Sequence, residues 1–412
     1  MLAVGTRGDV QPYVALGRGL LRAGHDVVIA TNANLAAFAR EHGVDAAAIT
    51  GDSTRWTAWL AAAPRRARPD RLAGALRRQA GALEETLAGL AAAALGAARR
   101  ADLVVSGSTA FWAGQPIARA LGVPHCAAFI QPWHPTSAFA PVLWPELAAG
   151  PAWARGAYNR AAHRLTVWGL RRLFAAARRR ALTRALGGVP APYAADPLVL
   201  YGFSPAWLPR PADWPGHVRV TGFWFLDAPG WRPPPRLAAF LAAGPPPVYV
   251  GFGSLAGVRP DLLELAVEAL ARAGGRGLLA MGWGRWRGGA LSGDVLALDD
   301  VPHDWLFRQV AAVVHHGGAG TTAAALRAGR PSVAVPFLHD HGFFARQVWR
   351  RGLGPRPVPA ARATVARLRE AIERAVDDGA MAFRAARLAS EIACEDGVGR
   401  AVELIGTCRR PG

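Results

Sequence analysis

Short apolar runs alternate with longer segments of helical spacing along the first half of the chain. The runs at 26–31, 101–107 and 124–130 have the length and composition of fully buried strands. The segment 80–100, which precedes the second of these runs, repeats Ala, Leu and Arg with the spacing of a helix. Strands that alternate with helices are typical of a parallel sheet covered on both faces.

The alternation stops in a segment crowded with Pro and Trp, at 204–246, and then resumes. The second half of the chain has five more predicted strands, at 246–254, 276–283, 294–300, 311–316 and 331–337. A chain of 412 residues also exceeds the roughly 100–200 residues of a typical domain. We therefore predict two α/β domains with a proline-stiffened connection, and ligands in the crevice between them.

The segment 311–331, AAVVHHGGAGTTAAALRAGRP, places a strand, a glycine turn and a helix in immediate succession. The helix is predicted over 321–328. Its N-terminus would present unpaired N–H groups and the positive end of the helix dipole, and the glycines leave room for a diphosphate. His316 and Thr321 would add donors. The alternative is a tight strand–helix turn whose histidine hydrogen-bonds backbone carbonyls.

A second glycine turn closes the strand at 246–254. There Gly251 and Gly253 bring the backbone close, and Ser254 could donate to the same phosphates. Two such turns in one domain favour a nucleoside diphosphate as ligand. A P-loop is excluded because the chain has no lysine, and the turn at 4–9, VGTRGD, is not G-x-G-x-x-G. No His, Cys or Asp cluster has metal-ligand spacing, so we expect no metal and no other cofactor.

The net charge of +19 changes this interpretation little. All 48 basic residues are arginine, and Ala, Gly, Pro and Arg dominate the composition. No recognition helix, zinc finger or stacking-aromatic pattern accompanies the charge, so we expect no nucleic-acid partner. The three cysteines lack metal spacing and are odd in number, which suits free thiols in a reducing cytoplasm. No apolar run approaches the roughly 18–20 residues of a membrane span.

The glycine-rich segment, HHGGAGTTAAALRAGRP, followed by PFLHD and RGLGP, resembles the donor-binding signature of nucleotide-sugar glycosyltransferases with the GT-B fold. The nearest branch contains the bacterial and fungal sterol glucosyltransferases and the antibiotic glycosyltransferases. The stretches at 5–20, 200–226, 245–254 and 299–322 are similar to the same branch. The likeness therefore touches both predicted domains and most of the chain.

The resemblance implies an α/β protein with two Rossmann-like, doubly wound parallel-sheet domains that face a central cleft. An acceptor-binding domain would cover 1–212 and a Pro/Trp-rich linker 213–240. A donor-binding domain would cover 241–383, and a helical segment, 384–412, would pack back on the first domain. The stretch before LAVGTRGD is shorter than in relatives, so the natural start could lie upstream of Met1.

The implied activity is that of an inverting glycosyltransferase. It would move a hexose from a UDP- or dTDP-sugar to a hydroxyl of an apolar acceptor, either a sterol-like lipid or a polyketide-type natural product. One alternative is a nucleotide-sugar epimerase or hydrolase on the same fold. Another is a non-catalytic partner subunit of a natural-product glycosyltransferase. The sugar, the nucleobase, the acceptor and the oligomeric state stay open.

The family's donor-binding roles can be carried over position by position. His316 would contact the phosphates, Ser254 would donate to them from the facing turn, and Val301 would meet the nucleobase through its backbone. Asp340 would accept hydrogen bonds from sugar hydroxyls. The full set of expected donor-binding residues is Ser254, Trp283, Val301, His303, His316, Gly318, Gly320, Thr321, Asp340 and His341.

The sugar-binding motif departs from that of the relatives, which usually have G-D-Q-P-F-W where this chain has HDHGFF at 339–344. Glutamine offers a carbonyl acceptor and an NH₂ donor, whereas neutral histidine offers one of each in another geometry. In plant relatives a histidine at the position of His341 accompanies galactose. Glucose is therefore in doubt, and the alternative is an unchanged donor with a tolerated substitution.

The resemblance also suggests the general base. Displacement of a nucleoside diphosphate requires removal of a proton from the attacking hydroxyl. In this branch the aspartate of the R-G-D turn is placed to do so, and Asp9 matches it. The alternative is that Asp9 only caps a helix that begins near Gln11.

The acceptor should bind in the first domain, where 129–145 is rich in aromatic residues and proline. Segment 164–184 has an Arg-rich amphipathic pattern. We interpret it as a solvated helix face of a cytoplasmic protein; the alternative is weak peripheral contact with the inner membrane surface. The candidate acceptor-binding residues are Phe111, Trp112, Trp133, His134 and Phe139, and core packing is the alternative for each.

Overall fold

The computed structural model describes residues 1–49, 69–97, 101–108, 110–147, 149–188, 197–282, 291–337 and 340–408, without the side chains of 69–80 and 97. The chain forms two compact units. The N-terminal unit consists of Met1–Leu226 and Asp396–Gly412, and the C-terminal unit of Asp227–Glu395.

The N-terminal unit contains a parallel sheet that Leu2 completes. The elements are α1 (Arg7–Arg22), β1 (Val28–Asn32), α2 (Ala33–Glu41), β2 (Asp45–Ile49), α3 (Pro69–Ala97), β3 (Val104–Ser106), α4 (Phe111–Leu121), β4 (His125–Phe129), α5 (Ala152–Leu186), β5 (Leu198–Tyr201) and β6 (Val218–Val220), with α13 (Gly397–Gly406) from the end of the chain. Strands β1 and β2 pair with each other, and β3, β4, β5 and β6 pair in that order. Leu2 bridges Ala30 of β1 and Ser106 of β3, so one sheet runs through the start of the chain.

Helices cover both faces of this sheet. On one face, Leu87 of α3, Ile117 of α4 and Leu182 of α5 are buried in one core with Leu2 and Ala30. The neighbouring strand residue Ile29 points to the other face, where it lies close to Gly17 of α1. The alternation of side chains along a strand thus supplies a separate core for each layer of helices.

The C-terminal unit contains a five-stranded parallel sheet. Its elements are α6 (Pro235–Ala242), β7 (Val248–Gly251), α7 (Asp261–Arg272), β8 (Gly277–Ala280), β9 (Val295–Leu298), α8 (His303–Leu306), β10 (Ala312–His315), α9 (Ala319–Arg327), β11 (Ser332–Ala334), α10 (His341–Arg350), α11 (Val365–Asp377) and α12 (Gly379–Ala393). The strand order is β11-β10-β7-β8-β9. Val250 and Val314 pack with α7 and α11 on one face, while Tyr249 and Val313 pack with α6 and α8 on the other.

The predicted α/β class with two doubly wound parallel sheets is confirmed, and each of the eight predicted strands overlaps an observed one. Three observed strands, β2, β5 and β6, were not predicted. In β2 the sequence is DAAAI, and alanine favours helices over strands. In β6 only three residues pair with the neighbouring strand.

The two units divide between Leu226 and Asp227, inside the predicted linker 213–240. The first part of that segment extends the N-terminal sheet as β6, and its last part begins α6. Helix α12 belongs to the C-terminal unit, where Ala386 lies against Gly329. The return to the N-terminal unit therefore begins at Asp396 rather than at 384, and Val398 then fills the space that Gly19 leaves on α1.

Candidate functional site

The glycine turn after β10 opens directly into α9. The helix begins at Ala319, two residues before its predicted start, and Gly318 is its N-cap residue. Gly317 has a φ of 85°, a left-handed conformation that side chains other than glycine rarely adopt. The first-turn N–H groups of a helix have no partner within it, so this turn presents donors at the carboxyl end of a central strand.

The ring of His316 lies between the two glycine turns. A Cβ atom on Gly318 would overlap its Nε2, and a Cβ atom on Gly253 would lie 3.6 Å from its Cε1. Within the described residues its Nδ1 has no hydrogen-bond partner. Burial, with smaller effects from His341, His315 and His303, lowers the pKa of His316 well below its ordinary value. The ring is therefore neutral at pH 7 and can donate one hydrogen bond.

Ser254 follows β7 in a short helical turn, Gly253–Leu255, and its side chain is partly exposed. Strands β7 and β10 are neighbours, with Gly251 opposite His315. The turns after these two strands therefore lie at the same edge of the sheet. The structure brings together here five of the predicted donor-binding residues, which are Ser254, His316, Gly318, Gly320 and Thr321.

The start of α10 joins the same site. Asp340 is its N-cap residue, and the Asp340 carbonyl accepts hydrogen bonds from the N–H groups of Phe343 and Phe344 at 2.9 and 3.1 Å. The His341 ring lies 5.0 Å from the ring of His316, between centroids, and His341 Nε2 is 3.8 Å from Asp340 Oδ1. The predicted sugar-binding pair is thus adjacent to the predicted diphosphate turn.

His303, at the start of α8, packs into the unit. Its ring stacks on Phe307 with centroids 4.3 Å apart, and its Nε2 is 3.3 Å from the hydroxyl of Tyr249. Val301 packs against the apolar core beneath. The predicted nucleobase contacts of these residues stay predictions. Trp283 and His339 lie outside the described residues.

In the N-terminal unit, Asp9 forms a capping box at the start of α1. The helix begins at Arg7 rather than near Gln11, and Thr6 is the N-cap residue. Thr6 donates to Asp9 Oδ2 through its N–H, at 2.8 Å, and through its hydroxyl, at 2.9 Å. Asp9 therefore does help to cap a helix, as the alternative proposed. It does so as the third residue of α1, whose side chain accepts from the N–H of the N-cap residue Thr6. The same bonds orient its half-buried carboxylate.

The predicted acceptor residues are joined by an aromatic cluster that sequence analysis missed. Tyr201 of β5 stacks on Trp214, with centroids 4.8 Å apart. Its hydroxyl accepts hydrogen bonds from the N–H groups of Trp133, at 3.1 Å, and His134, at 2.7 Å. Both Phe139 and His134 contact the ring of Trp214. The aromatic residues within 200–214 were a signal that could have identified these partners.

The other two acceptor candidates, Phe111 and Trp112, lie in different surroundings. Phe111 contacts Phe129, with centroids 5.5 Å apart, and Phe129 in turn contacts Tyr201 of the cluster. Trp112 packs instead against the core between the sheet and the helices α3, α4 and α5, and its carbonyl accepts a hydrogen bond from Arg178. Core packing, the alternative named for each candidate, is therefore what the geometry of Trp112 fits.

Among the residues that the structure describes, no three His, Cys, Asp or Glu side chains converge as metal ligands would. Every helix in the same part of the chain is too short or too polar to cross a membrane.

Two family models match the chain. The N-terminal domain of glycosyltransferase family 28 matches residues 1–140, and the C-terminal domain of erythromycin biosynthesis protein CIII-like proteins matches residues 285–403. Between them they cover parts of both structural units.

Whole-chain comparisons agree with these matches. An O-mycaminosyltylonolide 6-deoxyallosyltransferase of Streptomyces fradiae is 38% identical over 98% of this chain and 96% of its own. A sterol 3-beta-glucosyltransferase of Arabidopsis thaliana is 35% identical over 98% of this chain, which spans 64% of that relative. The solved structure of a Streptomyces sp. SF2575 glycosyltransferase, SsfS6, complexed with thymidine diphosphate, has a TM-score of 0.61 at 22% identity, with 99% of this chain and 98% of that one covered.

Proposed function

The chain belongs to the glycosyltransferase family of these relatives, and we propose that it is an inverting hexosyltransferase that uses a UDP- or dTDP-sugar. Its fold is that of the GT-B glycosyltransferases. The acceptor is a hydroxyl of an apolar small molecule. One observation carries the proposal: a neutral histidine, His316, lies between two glycine turns at the N-terminus of α9.

The donor diphosphate binds at this turn. Backbone N–H groups at the start of α9 and the hydroxyls of Thr321 and Ser254 donate to its oxygens, and His316 donates from its ring. These donors stabilise the charge that develops as the nucleoside diphosphate leaves the anomeric carbon. Because His316 is neutral, it needs no change of protonation before it binds an anion.

Asp9 is the general base. Its carboxylate takes the proton from the acceptor hydroxyl while the hydroxyl oxygen attacks the anomeric carbon and the bond to the diphosphate breaks. The bonds from Thr6 to Oδ2 support this role because they hold the side chain in one orientation before substrate binds.

The aromatic cluster around Tyr201 supports an apolar acceptor. Two relatives are named for such acceptors, a tylonolide and a sterol. The sugar is a hexose whose hydroxyls Asp340 and His341 bind. The histidine at the second of these positions favours a hexose other than glucose, because its donor and acceptor lie in another geometry than those of glutamine.

The test is a product assay. The purified protein is incubated with a panel of UDP- and dTDP-hexoses, each with sterols, with macrolides or with no acceptor, and products are identified by mass spectrometry. The proposal predicts a glycosylated acceptor together with the free nucleoside diphosphate. Donor turnover without acceptor would instead indicate a hydrolase or epimerase, and inactivity with every pair would favour a partner subunit.

Helix α5 supports a second partner, an anionic lipid surface. Trp153 and Trp168 are exposed by 76% and 60%. Arg164 and Arg171 lie four residues before and three residues after Trp168, on the same face of the helix. The helix contains no Asp or Glu, which would oppose an anionic surface. The exposed large apolar residues of this region are Leu143, Leu147, Trp153, Leu165, Trp168 and Leu173.

This contact is tested by flotation with vesicles of phosphatidylcholine, with and without phosphatidylglycerol. The protein should float with the anionic vesicles, less so at high salt, and the paired changes Trp153→Ser and Trp168→Ser should abolish flotation. The control is Trp349→Ser, at an exposed tryptophan of the C-terminal unit. Equal binding to both vesicle types, or no effect of the paired change, would reject the contact.

A further inference from the structure

We propose that His315, the buried histidine that precedes His316, is a positioning residue that holds the Gly317–Gly318 turn in the shape that receives the donor diphosphate. This inference rests on the proposed function, since it assigns a role at the same site. The sequence alone assigns no role to His315, which is adjacent to His316 but whose ring makes different contacts.

The central contact is a hydrogen bond to the backbone of the turn. The Gly317 N–H donates to His315 Nδ1 at 3.1 Å. Since Nδ1 accepts a hydrogen bond, it carries no proton, and the neutral ring must carry its proton on Nε2. The bond therefore fixes both the direction of the Gly317 N–H and the tautomer of His315.

The ring is well placed to hold the turn because its own backbone is fixed on both sides. His315 is the last residue of β10, lies opposite Gly251 of β7 and Ala334 of β11, and is fully buried. Its carbonyl accepts a hydrogen bond from the Val335 N–H at 2.8 Å. Central strands of a parallel sheet are among the most rigid parts of a fold, so the bond anchors Gly317 to a fixed point.

The anchored turn in turn positions His316. Gly317 adopts its left-handed conformation with its N–H turned back toward β10, and Gly318 then lies directly against Nε2 of His316. Without the bond the Gly317 N–H would be a buried donor with no partner, and the turn would rearrange to satisfy it. Gly318 and the first N–H groups of α9 would then move away from the positions that suit a diphosphate.

A purely structural role explains this residue poorly. The other buried side chains of β10 are Ala312, Val313 and Val314, and an apolar residue would fill the last position at lower cost. Within the described residues, Nε2 of His315 has no hydrogen-bond partner, so burial of this ring carries a free-energy cost. The bond that Nδ1 accepts from the Gly317 N–H accounts for a histidine at this position. Burial, with smaller electrostatic effects from His303 and His341, lowers the pKa of His315 to about 3, so Nδ1 remains an acceptor at physiological pH.

The test compares two substitutions of similar size. In His315→Asn the side-chain oxygen takes the place of Nδ1 and can accept from Gly317, whereas His315→Leu removes the acceptor and keeps the volume. Binding of dTDP and UDP is measured by calorimetry, and kcat and KM are measured for donor and acceptor. We expect His315→Leu to lose about tenfold or more in nucleotide affinity, with donor KM raised and acceptor KM unchanged. His315→Asn should stay within about threefold of the native protein.

The controls separate this inference from its premise. His163→Leu, at a buried histidine of the N-terminal unit, should lower stability without changing nucleotide affinity. If His315→Leu does not fold, His315→Gln replaces it, because its amide mimics Nε2 and reaches past the Gly317 N–H. The positioning role would be overturned if His315→Leu bound nucleotide as tightly as the native protein, or if His315→Asn lost as much nucleotide affinity as His315→Leu. Failure of the native protein to bind any nucleoside diphosphate would instead contradict the proposed function.

Discussion

Asp9 accepts two hydrogen bonds from Thr6 through a single carboxylate oxygen, at 2.8 Å from the N–H and 2.9 Å from the hydroxyl. These bonds give the Thr6 N–H, at the start of α1, a hydrogen-bond partner. They also orient the carboxylate that we propose as the base. A substitution of Asp9 therefore changes a helix cap and a reactive group together. The two effects can be separated only by comparing turnover with stability.

The change Asp9→Asn keeps an oxygen that can accept from Thr6 but removes the charge that takes up a proton. Turnover should fall by about 10²–10⁴-fold, the usual contribution of a general base. Nucleotide affinity should not change, and the free energy of unfolding should fall by no more than about 2 kcal/mol. Steady-state kinetics, calorimetry with dTDP and chemical unfolding measure the three quantities.

The matched control is Asp396→Asn. Asp396 caps α13 in the same unit and accepts from the Gly399 N–H at 2.8 Å. Its substitution should cost similar stability without affecting turnover. Full turnover in Asp9→Asn would show that the carboxylate only caps the helix.

Gly318→Ala tests the close approach of the turn to His316. The added Cβ would overlap Nε2 of that ring, which must then move, and we expect nucleotide affinity to fall by about tenfold or more. Calorimetry with dTDP and UDP measures the change. Gly379→Ala is the control, because a Cβ on Gly379 meets no atom within 4 Å. Equal affinities in both variants would argue against His316 as a phosphate contact.

Acid should destabilise the protein through its buried histidines. Burial is the main cause that lowers the pKa of His125 and His163 to about 4, against an ordinary value of 6.5. As pH falls below 6.5, these histidines gain a proton in the unfolded chain but stay neutral in the folded chain until the pH approaches 4. The free energy of unfolding that they contribute at pH 7 is therefore lost progressively toward pH 4. Each histidine should account for roughly 2 kcal/mol between pH 7 and pH 5.

Urea unfolding at these two pH values measures the loss. His163→Gln removes one titrating group, and its amide can still donate to the Phe139 carbonyl, which His163 Nε2 contacts at 3.2 Å. The pH dependence should shrink by about 2 kcal/mol in this variant. An unchanged pH dependence would show that His163 is not held neutral by the fold.

Tyr201→Phe tests the aromatic cluster. The change leaves the N–H groups of Trp133 and His134 without their shared acceptor, so the loop they belong to should shift. We expect acceptor KM to rise by about five- to tenfold and donor KM to stay constant. The reciprocal control, Tyr249→Phe in the C-terminal unit, removes a hydroxyl near His303 and should leave acceptor KM unchanged. A rise in donor KM alone in Tyr201→Phe would place the acceptor elsewhere.

Local pattern was enough to predict the strands and the glycine turns, because burial of a parallel strand demands a continuous apolar run and a left-handed turn demands glycine. It was not enough where distant contacts decide the outcome. The alanines of β2 form a strand because β1 pairs with them. The first residues complete a sheet because Leu2 bonds the backbone of Val105, while Met1 and Ala3 bond that of Ala30. Similarly, His315 and His316 look alike in sequence, and only the structure distinguishes them. His315 accepts from the Gly317 N–H, whereas the His316 ring lies against Gly318.

The central claim is that the donor diphosphate binds at the start of α9, and a crystal structure with dTDP or UDP tests it most directly. We predict phosphate oxygens within hydrogen-bonding distance of His316 and of the N–H groups at Gly320 and Thr321. A diphosphate bound at any other part of the molecule, with this turn unoccupied at saturating nucleotide, would contradict it.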